Sequence, residues 1–247
     1  MLRMAWHPTE PLLAVAAEGP ASRIINLKDY SFKQLPGINE GTRAIAWNRN
    51  GTVLASANYD KNITFYSKQG DLIMEIDSAS SKSFVGIDWH PNKDEIITTS
   101  DSVRIFNMQG EMLFRNAHRK EDALMLCVLW HPSGTFYAVG DYGNFDFGYS
   151  PLLQYFDPEG LKIFSSSVSV AEYRNMSWSA DGTLLATASD ALRIWTKDGD
   201  LKFEQRSQAP LWGVDWSPDG HHIVTSDEHG KIKLWNDRAA FIQDLVY

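Results

Sequence analysis

A tryptophan set just before a tight turn recurs six times along the chain, at Trp6, Trp47, Trp89, Trp130, Trp178 and Trp216. The spacings are 41, 42, 41, 48 and 38 residues. A period in this range means that one supersecondary unit is repeated, which restricts the fold more than any local propensity does. The last copy is the clearest, GVDWSPDGHHIVTS over residues 213–226 and KIKLWN over 231–236. In its turn, proline fixes φ and glycine accepts a positive φ, so two strands are joined tightly. A second landmark ends a short alternating strand in every copy: Ile25, Tyr66, Phe106, Phe156, Trp195 and Trp235. From first landmark to second the gaps are 19, 19, 17, 26, 17 and 19 residues. One copy is irregular, and its excess lies between Trp130 and Phe156.

Four strands fit each unit. In the last copy they run over 211–216, 221–226, 231–236 and about 240–246. The second strand is small and apolar, as in VLASA at 53–57 and LLATAS at 184–189, which suits cover on both faces. The third alternates, as in LRIW at 192–195 and IKLW at 232–235. The fourth follows a glycine turn, as at 71–76, 111–114 and 200–203. No useful helical period appears. One such sheet cannot bury both faces, but six stacked about an axis can, and repeats of about 40–45 residues with four strands are the mark of propeller blades.

The Trp-(Ser/His)-Pro-x-Gly turns, the small second strands, and the third strands Arg193-Ile194-Trp195 and Lys233-Leu234-Trp235-Asn236 resemble the WD40-repeat family over essentially the whole chain. The resemblance implies an all-β fold: a β-propeller of six four-stranded antiparallel blades around a central channel, in one domain spanning 1–247. The blades fall near 1–37, 38–78, 79–116, 117–166, 167–206 and 207–247. A seven-bladed parent that has lost a blade is the alternative. The sequence departs from the family in two ways. The polar network of Trp, Ser or Thr, His and Asp is complete in no blade: Asp60 is paired with Tyr66, His229 replaces the Asp before Trp235, and His118 is matched by Phe156. The blades are therefore expected to be held mainly by apolar stacking. The chain also starts on an innermost strand and ends on an outermost one, so no exchanged terminal strand is expected to latch the ring.

Composition narrows the function. A net charge of −8 with no Lys/Arg cluster argues against nucleic acid and against an anionic membrane, since phosphate contacts need a basic surface. No run approaches the ~20 apolar residues of a membrane-spanning helix, and MLRMAWHP at the start lacks a signal-peptide pattern. Cys127 is the single cysteine, which excludes an internal disulfide and suits a reducing compartment. A soluble, cytoplasmic protein is the expectation.

The irregular unit holds the first candidate site. GDYGNFDFGYSP at 140–151 sets Tyr142, Phe145, Phe147 and Tyr149 in a surface loop between the second and third strands. Exposed aromatics cost solubility unless covered, and buried ones anchor interfaces. Either they contact a partner, or they fold back over blade four or plug the channel mouth. The charged loop at 116–123, with His118, Arg119, Glu121 and Asp122, joins units three and four and reads singly as solvated. The family's blade geometry places it beside the aromatic loop. The same geometry puts the starts of the innermost strands at the channel mouth, where related propellers commonly bind peptides through arginine and aromatics. The candidates are Arg3, Arg43, Phe84, Met125, Arg174 and Trp212, with Tyr173 adjacent; strand alternation turns about half of them between blades.

Enzyme signatures are lacking. His7, His90 and His131 share one turn position, Trp-His-Pro, and recurrence marks a structural turn. His221, His222 and His229 lie near one another without a matching Cys or carboxylate pair at metal spacing. Asp141-x-x-Asn144-x-Asp146 only faintly suggests a calcium loop. Cys127 sits in an apolar strand and reads as packed. The expected function is a non-catalytic scaffold that binds a protein or peptide partner, with no catalytic, cofactor or metal residues, as a monomer or a subunit of a larger assembly. The competing readings are a propeller that binds a small ligand or metal in its channel, with or without catalysis, and a purely architectural module.

Overall fold

A computed structural model describes residues 3–77, 80, 82, 83, 85–117 and 124–245. It divides into two compact units, residues 1–121 and 122–247, each holding three four-stranded antiparallel sheets. In the first unit, sheet one is β1 (Met4–Trp6), β2 (Leu12–Val15), β3 (Arg23–Asn26) and β4 (Phe32–Gln34). Sheet two is β5 (Thr42–Trp47), β6 (Val53–Asn58), β7 (Asn62–Ser67) and β8 (Leu72–Asp77). Sheet three is β9 (Gly86–Trp89), β10 (Glu95–Thr99), β11 (Ser102–Asn107) and β12 (Met112–Ala117).

In the second unit, sheet four is β13 (Met125–Trp130), β14 (Tyr137–Asp141), β15 (Leu153–Phe156) and β16 (Lys162–Ser166). Sheet five is β17 (Asn175–Trp178), β18 (Leu184–Ala188), β19 (Ala191–Thr196) and β20 (Leu201–Arg206). Sheet six is β21 (Leu211–Trp216), β22 (His222–Asp227), β23 (Ile232–Asn236) and β24 (Phe241–Asp244). The fold class is the one expected, all-β with six four-stranded antiparallel blades of propeller type, each made of consecutive strands.

Both landmarks of the repeat occupy one register in all six sheets. Trp216 faces Ile223, which faces Trp235; likewise Trp130 faces Tyr137, which faces Phe156. The long fourth copy thus keeps its ladder, and its extra residues leave the sheet between β14 and β15. Sheets within a unit stack through small second-strand residues. Ala55 and Ala57 lie in a core with Phe65, Ile87, Trp89 and Phe106; Ala186 and Ala188 lie in one with Ile194, Val214, Trp216 and Trp235. Methyl-sized residues let two pleated faces approach closely enough to exclude water.

Stacking does not act alone. The ring of His7 reaches the next sheet, its Nε2 2.9 Å from the carbonyl oxygen of Gly51, and His131 reaches the carbonyl of Gly182 at 2.8 Å. Trp89 Nε1 donates to the Ala46 carbonyl at 2.9 Å. The Trp-His-Pro turns of His7 and His131 are therefore ties from one blade to the next.

Polar bonds inside the blades also exceed the expectation of mainly apolar cohesion. Trp195 Nε1 donates to Thr187 Oγ1 at 3.1 Å, and Trp235 Nε1 to Thr225 Oγ1 at 2.8 Å. Arg193, fully buried on β19, donates to Ser189, to Asp190 and to Glu204. Arg104 on β11 repeats the arrangement with Ser100 and Asp101. Burial alone would raise the Asp190 carboxyl, but hydrogen bonds from Arg193 and Ser169 and the guanidinium charge outweigh it and hold it at about 2. A buried arginine survives because its donors are met by carboxylates and hydroxyls.

Candidate functional site

The extra length of the fourth copy forms a compact loop with a fixed base. Asp141 is buried, and its Oδ1 accepts hydrogen bonds from Gly143 N at 2.9 Å and Leu152 N at 2.7 Å, pinning both ends of the excursion. Between them, Asn144 and Tyr149 exchange two backbone bonds around a single 3-10 turn, Phe145–Phe147, and Gly148 closes it at φ +73°. That Asp141 oxygen serves the loop backbone.

The tip is exposed. Tyr142, Phe145 and Phe147 are 48%, 57% and 62% accessible, so they neither fold back over the blade nor fill a core. The rings of Phe147 and Tyr149 stack at 6.5 Å. A surface loop that holds three aromatics in water on a rigid base has the composition of an interface anchor.

The base also leads to a second set of candidates. Tyr173 N donates to the carbonyl of Asp141 at 3.1 Å, and Arg174 is the next residue. Its guanidinium lies 4.9 Å from the ring centroid of Trp212 and pairs with Glu172. Trp212, 37% exposed, is an extra residue in its ladder: Leu211 faces Asp227 and Gly213 faces Ser226, and the indole is left without a cross-strand partner. In a β-bulge such a residue is re-aimed out of the sheet. Tyr142, Phe145, Phe147, Arg174 and Trp212 thus emerge from connected segments of one unit.

In the other unit Arg43 is the corresponding bulged residue, between Thr42 facing Asn58 and Ala44 facing Ala57. Its guanidinium sits 4.5 Å from the Tyr59 ring, and its Nε has no acceptor among the described residues. Both arginines thus place their guanidinium carbon over an aromatic face, a cation–π contact. Two of the remaining candidates at strand starts turn inward. Met125 and Tyr173 are buried, and burial pushes the Tyr173 phenol well above its ordinary value. The extra residue in sheet four is Leu126, which is buried too. Arg3 is half-buried. Phe84, His118, Arg119, Glu121 and Asp122 lie outside the described residues.

Cys127 is buried, with Sγ 3.3 Å from the Tyr173 carbonyl oxygen, as a packed thiol should be. Among the described residues, no three His, Cys, Asp or Glu side chains are grouped to hold a metal ion. No helix is long and apolar enough to cross a membrane, again among the described residues. The bulges leave no mark in the sequence, since Arg43, Leu126 and Trp212 share neither charge nor polarity.

Comparison with known proteins agrees with this geometry. The family model for the WD domain, G-beta repeat, matches residues 31–67 and 199–236. Each match runs from the outermost strand of one sheet through three strands of the next, β4 to β7 and β20 to β23. The mouse intraflagellar transport protein 80 homolog is 22% identical over 191 residues, covering 75% of this chain and 23% of its own length. The yeast SIR4-interacting protein SIF2 is 33% identical over 75 residues, 29% of this chain and 14% of that protein. The mouse F-box-like/WD repeat-containing protein TBL1X is 32% identical over 65 residues, 25% of this chain and 12% of that protein. The chain thus spans a quarter or less of the length of these relatives. With two copies matched and six sheets built on one plan, the chain carries WD40 repeats in a fold of propeller type.

Proposed function

We propose that this protein is a non-catalytic scaffold, placed in the cytoplasm, that binds a protein or peptide partner through the surface formed by Tyr142, Phe145, Phe147, Arg174 and Trp212. The observation that carries this reading is the exposure of three aromatics on a loop whose base Asp141 fixes from both ends. A pre-set loop loses little conformational freedom on binding, so its apolar area goes into affinity. Arginine and tryptophan are the side chains most enriched among residues that dominate interface energy. A relative named for its interaction with another protein supports the same class of role. Arg43 on Tyr59 supplies a similar pair in the other unit, and we propose it as a separate contact point there.

The test replaces residues 142–149 by a short glycine linker and compares captured partners by mass spectrometry. Partners held by the intact chain and lost on replacement, with an unchanged melting curve, support the assignment. Retention of every partner refutes this surface.

A further inference from the structure

The outer strands of the second unit carry another surface. A groove of about 550 Å3 runs between the fifth and sixth sheets, with β20 on one side and β23 and β24 on the other. Three cations line it, Arg206, Lys231 and Lys233, against one carboxylate, Asp244. Arg206 is already matched, its Nη1 3.2 Å from Asp190 and its Nε 3.4 Å from Glu204. Lys231 and Lys233 make no ion pair among the described residues, although Asp244 stands directly across the ladder from Lys233. The Lys233 ammonium lies 5.9 Å from the Trp235 ring centroid instead. Beside it Phe241 packs edge-on to Trp235 at 5.6 Å and leaves 53% of its own surface in water.

A chain of net charge −8 has no general surplus of cations to spread over its surface. Two unmatched ammonium groups over an apolar floor therefore define an electrostatic feature of this groove, complementary to negative charge. Shape selects the form of the ligand. β20 and β24 are the outermost strands of their sheets, and such edges offer backbone groups that an extended chain can meet. We propose that this groove docks an extended acidic segment of a protein partner, its carboxylates at Lys231 and Lys233 and an apolar side chain on Phe241. This site is independent of the loop surface proposed above.

The test is fluorescence anisotropy of a labelled octapeptide that alternates glutamate with phenylalanine and leucine, titrated with the full chain. Saturable binding is expected, weakened at least about tenfold by Lys231→Glu with Lys233→Glu and by raising salt above a few hundred millimolar. Phe241→Ser is expected to weaken it as well, while replacement of 142–149 leaves it unchanged. The proposal is overturned by equal affinity for the charge-reversed variant, by equal binding of the same peptide with lysine for glutamate, or by no binding at all. Binding of anionic vesicles or single-stranded DNA, but not of the peptide, also overturns it and assigns the groove to another class of polyanion.

Discussion

His131 places Nε2 2.8 Å from the carbonyl oxygen of Gly182, a residue 51 positions further along the chain. Its Nδ1 accepts from Ser133 N at 3.1 Å, so the proton sits on Nε2 and is donated across the blade boundary. His7 has the same arrangement, Nδ1 accepting from Glu10 N at 3.0 Å and Nε2 facing Gly51. His131→Ala leaves the Gly182 carbonyl without this donor and opens space beside Trp178, whose ring centre is 4.8 Å away. A loss of about 1–3 kcal/mol is expected, read from the urea midpoint. A long-range nitrogen–proton correlation spectrum should show protonated Nε2 in His7 and His131; Nδ1 tautomers would refute the tie.

Asp190 links acid stability to the buried arginine. Its carboxyl is held at about 2 in the folded protein against an ordinary value of 3.8. A depressed folded value means that the stabilisation is complete above about pH 4 and is lost as the pH falls through 2. Asp190→Asn should therefore be clearly less stable than the parent at pH 6, with the gap closing on acidification. A gap that stays constant down to pH 2 shows that the pair with Arg193 contributes nothing of this kind.

The loop separates base from tip. Asp141→Ala removes the acceptor for Gly143 N and Leu152 N, and is expected to cost about 1–3 kcal/mol while speeding protease cleavage within 142–151. Phe145→Ser with Phe147→Ser should change stability by only about 0.5 kcal/mol, because both rings are exposed. Equal losses from base and tip would mean that the aromatics are part of the core after all.

Gly140 is required for its lack of a side chain. A Cβ there would come within 2.5 Å of Tyr173 Cβ and 2.8 Å of Cys127 Sγ, and both neighbours are buried. Gly140→Ala should destabilise by about 1–3 kcal/mol through overpacking. Adding Cys127→Ala should recover part of the loss, and a thermal melt of the double variant decides this.

Much of the architecture was legible because the repeat is punctuated by residues with one physical role each. Tryptophan before a tight turn and an aromatic or isoleucine at the end of the third strand mark the same register in every sheet. The same reading put the irregularity in the right place, since inserted residues that leave the ladder intact must form a loop. It was silent on Arg104 and Arg193. A charged residue in an alternating strand reads as solvent-facing, and only its partners reveal that it is buried. A signal did exist in the shared string SDxxRI at 100–105 and 189–194, where Ser and Asp precede the arginine that they bind. The bulges were illegible for a different reason: one extra residue in a strand changes no composition and breaks no period. They nevertheless separate Arg43 and Trp212 from Met125 among the candidates.

A bulged residue answers to no neighbour across the ladder. Arg43 and Trp212 each stand at such a position, while the residues on either side keep the pairing. A change of size, charge or aromaticity at these two places disturbs no pairing of the ladder. Under the function proposed above, recognition and cohesion are then separate variables in this chain, so that a lineage can acquire new partners by single substitutions on an unchanged frame.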